Sequence, residues 1–197
     1  MYANIRKSTV LILILVLSVA TECLSYCLRG HMIIVRSMNQ LKFSELMEVY
    51  AESNLLNGRE LYPTLSQQAQ IREAEQNFYC YLKDIFFRQS DSFYAVWESN
   101  GHYVSALRIE PYRDGFLICG LETMPCARRQ GYAARLLIAV LAYLKGVDNP
   151  IVYSHVSKRN QPSFATHLKC GFHILQDHAV YSDGSVLHNH YTMVNSN

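Results

Sequence analysis

Arg128-Arg129-Gln130-Gly131-Tyr132-Ala133 is a basic, small-residue turn set directly before a helical pattern. At a helix start the first N–H groups lack intrahelical partners and the dipole is positive. Gly131 lets a ligand approach the backbone, so Arg128 to Ala134 reads as a pyrophosphate cradle. A solvated basic turn is the plainer reading of Arg128 and Arg129. Other groups able to do chemistry lie close by in sequence: Glu122 before the turn, then His155, Asn160 and His167 after the helix. His188-x-His190 puts two imidazoles on one strand face, a spacing that can bind metal. No partnering Cys or Asp is evident, so strand packing is the better account and no metal is expected. Cys170 near His167 resembles a nucleophile pair only superficially.

The elements that position these residues follow from pattern. Phe116–Thr123 is an apolar strand closed by Pro125. Leu137, Val140, Leu141 and Leu144 then sit at i, i+3, i+4 and i+7, one helical face. Upstream, Met32–Arg36 is a short strand. Ser44 can cap a helix carrying Phe43, Leu46, Met47 and Tyr50, which Asn57-Gly58 ends. A longer helix runs from about Ser66 to Phe87 on the stripe Ile71, Ala74, Phe78, Leu82 and Ile85. Strands Phe93–Glu98, Tyr103–Tyr112 and Phe116–Thr123 form a meander turned at Asn100-Gly101 and Asp114-Gly115. The helix after Gly131 crosses over to Ile151–Val156, a parallel partner. A short helix, Gln161–Lys169, precedes strands Phe172–Tyr181 and Ser185–Val194, joined at Asp183-Gly184.

The order is β-α-α-β-β-β-α-β-α-β-β: an α/β (α+β) chain with a mixed, mostly antiparallel sheet of about seven strands flanked by helices. In its parallel unit the turn after Thr123 and the loop after Val156 lie at the same strand ends. A ligand between them meets the Gly131 amides at one end and Asn160 near the other.

At 197 residues, half of them apolar, the chain is long enough to bury a core. A formal net charge of +2 suggests neither disorder nor a nucleic-acid-binding tail. Six cysteines without zinc-ribbon spacing read as reduced thiols, which favours a cytoplasmic body. Residues 1–31 stand apart. Arg6 and Lys7 precede the apolar run Val10–Ala20, the length of a signal-peptide core and short of a spanning helix. Three readings stand: a signal or membrane anchor, ordinary structure, or a misassigned leader with the true start at Met32. Membrane association is expected only if this extension is translated and retained.

Arg128-x-x-Gly131-x-Ala133 resembles the Q/R-x-x-G-x-G/A signature with which GNAT N-acetyltransferases hold the pyrophosphate of acetyl-CoA. Asn160, followed by His167 and then Gly171-Phe172, resembles the family's second signature, in which the position of His167 is usually a Tyr. The likeness covers about Met32 to the C-terminus and implies a GNAT domain over residues 32–197. It implies acetyl-CoA as co-substrate and direct transfer of the acetyl group to a primary amine of a small molecule or peptide. Leu121, Glu122 and Thr123 would offer backbone groups to the pantetheine arm. Arg128, Arg129, Gln130, Gly131, Tyr132, Ala133 and Ala134 would take the pyrophosphate, and Asn160 and Ser163 would complete the cofactor site.

The resemblance also suggests who does the chemistry. Glu122 or His155 would be the general base, with a solvent-facing carboxylate and a satisfied sheet histidine as their plain alternatives. His167 would protonate the leaving thiolate, or merely pack; Tyr181 or Tyr191 would then serve, or the thiolate would leave unaided. The Thr123 amide, or its neighbour's, would stabilise the oxyanion. Glu60, Tyr62, Tyr181 and Asp183 are the acceptor-site candidates. A homodimer is left open. The rival classes are a CoA-binding sensor whose catalysis has lapsed, suggested by the missing Tyr, and an enzyme acting on aminoacyl-tRNA, which the near-neutral charge does not support.

Overall fold

The computed structural model describes residues 30–147 and 150–196; the stretch Val10–Ala20 lies outside them. Seven strands make one sheet: β1 (Gly30–Val35), β2 (Phe93–Ser99), β3 (His102–Tyr112), β4 (Gly115–Thr123), β5 (Ile151–Ser157), β6 (His173–Gln176) and β9 (His190–Asn195). β7 (Ala179–Val180) and β8 (Val186–Leu187) pair separately. The sheet order is β1-β2-β3-β4-β5-β9-β6. Among the described residues only β4 and β5 run parallel.

Alternation along β2 sorts the molecule into layers. Phe93 and Ala95 face a core closed by Leu136, Leu137, Val140 and Leu144 of α4 (Tyr132–Val147). Phe164 of α5 (Gln161–Lys169) packs on the same side. Tyr94 and Val96 point the other way, into a core shared with Leu46, Met47 and Val49 of α1 (Phe43–Val49) and Leu82 of α3 (Gln67–Asp84). Between those two helices runs α2 (Ala51–Leu61). The mixed, mostly antiparallel seven-stranded sheet flanked by helices is therefore as the sequence predicts. No helix among the described residues is long and apolar enough to cross a membrane.

Three local expectations are corrected. Asn57-Gly58 does not end a helix; α2 continues through it to Leu61. A Cβ at Gly58 would stand 2.5 Å from the Gln70 carbonyl oxygen, so this glycine serves the close crossing of α2 and α3. The predicted first helix is instead two, α1 and α2, separated at Tyr50, and Ser44 lies inside α1 rather than capping it. Each of the last two predicted strands is broken in two. Thr192 Oγ1 donates to the His178 carbonyl at 2.7 Å, and the Tyr112 hydroxyl donates to that of Val180. These bonds hold the segment as a short hairpin, off the main ladder.

Local signals elsewhere are met. Ser66 caps α3, accepting from Ala69 N–H. Asn100 and Gly101 both have positive φ, 53° and 81°, as a type I′ hairpin turn requires.

Candidate active site

The site is organised by a fault in the sheet. β4 and β5 pair from Gly115↔Ile151 to Ile118↔Ser154 and no further, although both strands continue. On its other side, β4 slips against β3: Ala106 faces Glu122 while Arg108 faces Cys119. β3 spends one residue across that interval and β4 spends two, Gly120 and Leu121, so β4 carries a bulge. Gly120 has φ +59°, the left-handed conformation that glycine takes at little cost. A bulge bends its strand, which parts β4 from β5 and leaves the inner edge of Leu121–Thr123 without a strand partner.

At the far end of β4 the chain makes a short 3-10 turn, Pro125–Ala127, and enters α4. Arg129 and Gly131 both take positive φ, 63° and 81°. A Cβ on Gly131 would meet nothing within 4 Å. The conformation thus favours glycine there, and the space beside it is open to a ligand. The amides of Tyr132, Ala133 and Ala134 open the 16-residue helix α4 toward this space. Arg129 and Gln130 are exposed. Arg128 is committed elsewhere. Its Nη2 pairs with Glu52 of α2 at 2.7 Å, and its Nε donates to the Thr123 carbonyl at 3.2 Å.

Across the gap, Asn160 caps α5, its Oδ1 accepting from Ser163 N–H at 3.1 Å. Behind Ser163 lies His167, only 1% exposed. His167 Nδ1 sits 2.8 Å from the Ser163 carbonyl and must donate to it, so Nε2 accepts from the Ser154 hydroxyl at 2.9 Å. Burial lowers its pKa, and the Ser163 contact only partly opposes this. The imidazole is neutral, with both nitrogens engaged inside the protein.

Glu122 and His155 flank the parting. The Glu122 carboxylate accepts a short hydrogen bond from Ser53 of α2. Burial raises its pKa above the usual carboxylate value, against the opposing effects of Ser53 and Arg128. His155 stands between the rings of Tyr112 and Tyr181, at centroid distances of 5.5 and 4.7 Å. Both its nitrogens are buried without a hydrogen-bond partner among the described residues. Burial, helped by Arg113 and His190, pushes its pKa down to about 4.

Beside Glu122 a cleft of about 440 Å³ opens between α2, α3 and the β3–β4 bulge. Its walls include Tyr50, Ser53, Phe78, Tyr81, Arg108 and Glu122. Of the acceptor candidates, Glu60 is exposed on α2, Tyr62 accepts from Asn77 at the end of that helix, and Asp183 caps Ser185 in an exposed turn. None of these three lines the cleft. Tyr181 packs on His155 and so stands near the strand gap. Arg108 carries no local signal in the sequence, and Tyr50 reads there only as part of a helix face. The usable signal was Gly120, a lone glycine inside a strand pattern, which marks a bulge.

Solved structures share this architecture. A PaiA N-acetyltransferase from Thermoplasma acidophilum, in complex with coenzyme A, is 14% identical, with a TM-score of 0.56 over 85% of this chain and 99% of that one. A Pyrococcus horikoshii OT3 protein is 17% identical, with a TM-score of 0.57 over 85% of this chain and 99% of its own. The ribosomal-protein-S18-alanine N-acetyltransferase of Escherichia coli is 13% identical, with a TM-score of 0.55 over 84% and 92%. At such identities these likenesses show the fold alone. No curated protein sequence matches the chain. Residues 56–172 match the acetyltransferase (GNAT) family, more than half of the molecule, and the chain belongs to that family.

Proposed function

We propose that the protein is an acetyl-CoA-dependent N-acetyltransferase that moves the acetyl group directly to a primary amine in a ternary complex. The observation that carries this reading is the parted β4–β5 pair. It joins an open helix start at Gly131 to a half-buried carboxylate, Glu122, at the wall of a cleft.

Acetyl-CoA lies along the unpaired edge of β4. The backbone of Leu121, Glu122 and Thr123 meets the pantetheine arm, and the Gly131–Ala134 amides hold the pyrophosphate. Arg128 fixes the turn through Glu52 rather than reaching for phosphate. Asn160 keeps its side-chain N–H group for the pantetheine, because its oxygen is used in the cap; Ser163 stands behind it.

An ammonium with a pKa near ~10.4 must lose a proton before it attacks. Glu122 accepts that proton, its basicity raised by burial. The amine lone pair then forms the C–N bond, a backbone N–H of the bulged segment stabilises the oxyanion, and the C–S bond breaks. The nitrogen, positively charged once the C–N bond has formed, sheds its second proton through water to the thiolate, which departs as the thiol because a thiol ionises only near about 8.5. His155, with its pKa about 4, is the weaker base. Cys119 is no rival nucleophile; burial, then Glu110, pushes its thiol up to about 12.

Thiol release over a panel of primary amines tests the reading. Amine-dependent CoA release with mass increase of the amine supports it. Acetyl-CoA binding with no release beyond hydrolysis would instead make the protein a CoA-responsive module.

A further inference from the structure

The cleft beside Glu122 holds a cation that the transfer chemistry leaves unused. Arg108 projects from β3 with 20% of its side chain open. Its Nε is buried and has no hydrogen-bond partner among the described residues. Glu110 Oε1 lies 3.4 Å from that Nε, close enough for attraction but without hydrogen-bond geometry. That same oxygen already accepts from the Tyr81 hydroxyl at 3.3 Å. Phe78 and Tyr81 set their rings 5.6 and 5.3 Å from the guanidinium carbon. The other groups around Arg108 are uncharged: the hydroxyls of Tyr94, Tyr50 and Tyr81 and the Cys119 thiol, none of them a match for a carboxylate. Five donors in a planar fork thus have one poorly aligned carboxylate between them.

A desolvated guanidinium is costly unless matched by an anion, and its geometry suits a carboxylate held by two parallel bonds. The cleft it lines has the volume of a small-molecule site and carries Glu122 as well. Ala106 faces Glu122 across the ladder, and Arg108 is two residues along the same strand. That offset is about 7 Å of strand at about 3.4 Å per residue.

We propose that the acetyl acceptor is an amino-acid-like zwitterion, its carboxylate on Arg108 and its amine at Glu122. This rests on the N-acetyltransferase reading and names its acceptor class. The two charges also orient the molecule, because a carboxylate placed at Glu122 is repelled. Phe78, Leu61 and Ala74 supply apolar wall for a side chain.

The test uses the full chain, acetyl-CoA and matched acceptors: free amino acids, their carboxamides, the corresponding decarboxylated amines, and dipeptides with free or amidated C-termini. We expect kcat/KM to be about tenfold or more higher for the carboxylate member of each pair, the discrimination of a charge-assisted hydrogen bond. The dipeptide pairs distinguish free amino acids from peptide ends. Arg108→Lys should lose much of that preference through KM. Arg108→Met should bring each ratio close to one while acetyl-CoA affinity, read by calorimetry, stays at the wild-type value. If Arg108→Met does not fold, the wild-type ratios and Arg108→Lys decide. Carboxamides or plain amines used as well as the acids overturn the inference and leave the acetyltransferase reading standing. So does a preference that survives in Arg108→Met with intact acetyl-CoA affinity. If no amine of any class is acetylated, the parent reading falls and this inference falls with it.

Discussion

The Tyr50 hydroxyl donates to the Gly120 carbonyl at 2.6 Å, which ties the junction of α1 and α2 to the bulge of β4. Burial holds the Tyr50 phenol well above its usual pKa, so it stays a donor. The helical wall of the cleft and the distorted strand are thereby kept in register. Tyr50→Phe removes the donor and leaves a carbonyl unmet. We predict a loss of about 1–2 kcal/mol in stability and a fall in kcat larger than any change in KM for acetyl-CoA. Urea unfolding and steady-state kinetics check both, and unchanged values of each would contradict the account.

Glu122 gives opposite signs for stability and activity. Its folded-state pKa is raised, so the folded protein binds the proton more tightly than the unfolded chain. Stability therefore falls as pH rises from the unfolded pKa through the folded one. Glu122→Gln removes that cost and keeps an acceptor for Ser53, so its melting temperature at pH 7 should equal or exceed the wild type's. Turnover should fall by about a hundredfold, the size of a general-base contribution. The acidic limb of the pH–rate profile should vanish in this variant and persist in His155→Phe. A limb that disappears only with His155→Phe would move the base to the other strand.

His167 is predicted to be structural. His167→Ala opens a cavity and strands the Ser154 hydroxyl, at a cost of about 2–4 kcal/mol. The folded fraction should keep kcat within about threefold, less than the hundredfold or more that a lost proton donor costs. A hundredfold loss of kcat with native acetyl-CoA affinity would restore the imidazole as the acid.

These predictions draw unequally on what the sequence discloses. Asn100-Gly101, the Ser66 cap and the apolar strand feeding a glycine turn and helix are local signals, and each forms as its residues dictate. The order of elements and the sheet follow from them. What stays hidden depends on contacts between segments distant in sequence. Glu52 binds Arg128 across 76 residues, a pairing that nothing local to the basic turn announces. Gly58 looks like a helix stop until α3 is laid against it. Alternation along β3 says which face Arg108 takes, but not that α2 and α3 roof it. For the same reason the sequence offers Glu60 and Tyr62, whereas the cleft wall at the end of α2 is made by Leu61 and Asn77.

The central claim is that the diphosphate of an acyl-CoA docks where Gly131 opens α4. Gly131→Ala adds only strain at positive φ, about 1 kcal/mol, whereas Gly131→Glu puts a carboxylate into the same space. Calorimetric titration of acetyl-CoA into the wild type and both variants is the most direct measurement. We predict saturable binding by the wild type, a modest loss in Gly131→Ala, and a loss of at least about tenfold in Gly131→Glu, comparable to one desolvated like-charge contact. Absence of saturable binding by the wild type, or equal affinity in Gly131→Glu, would contradict it.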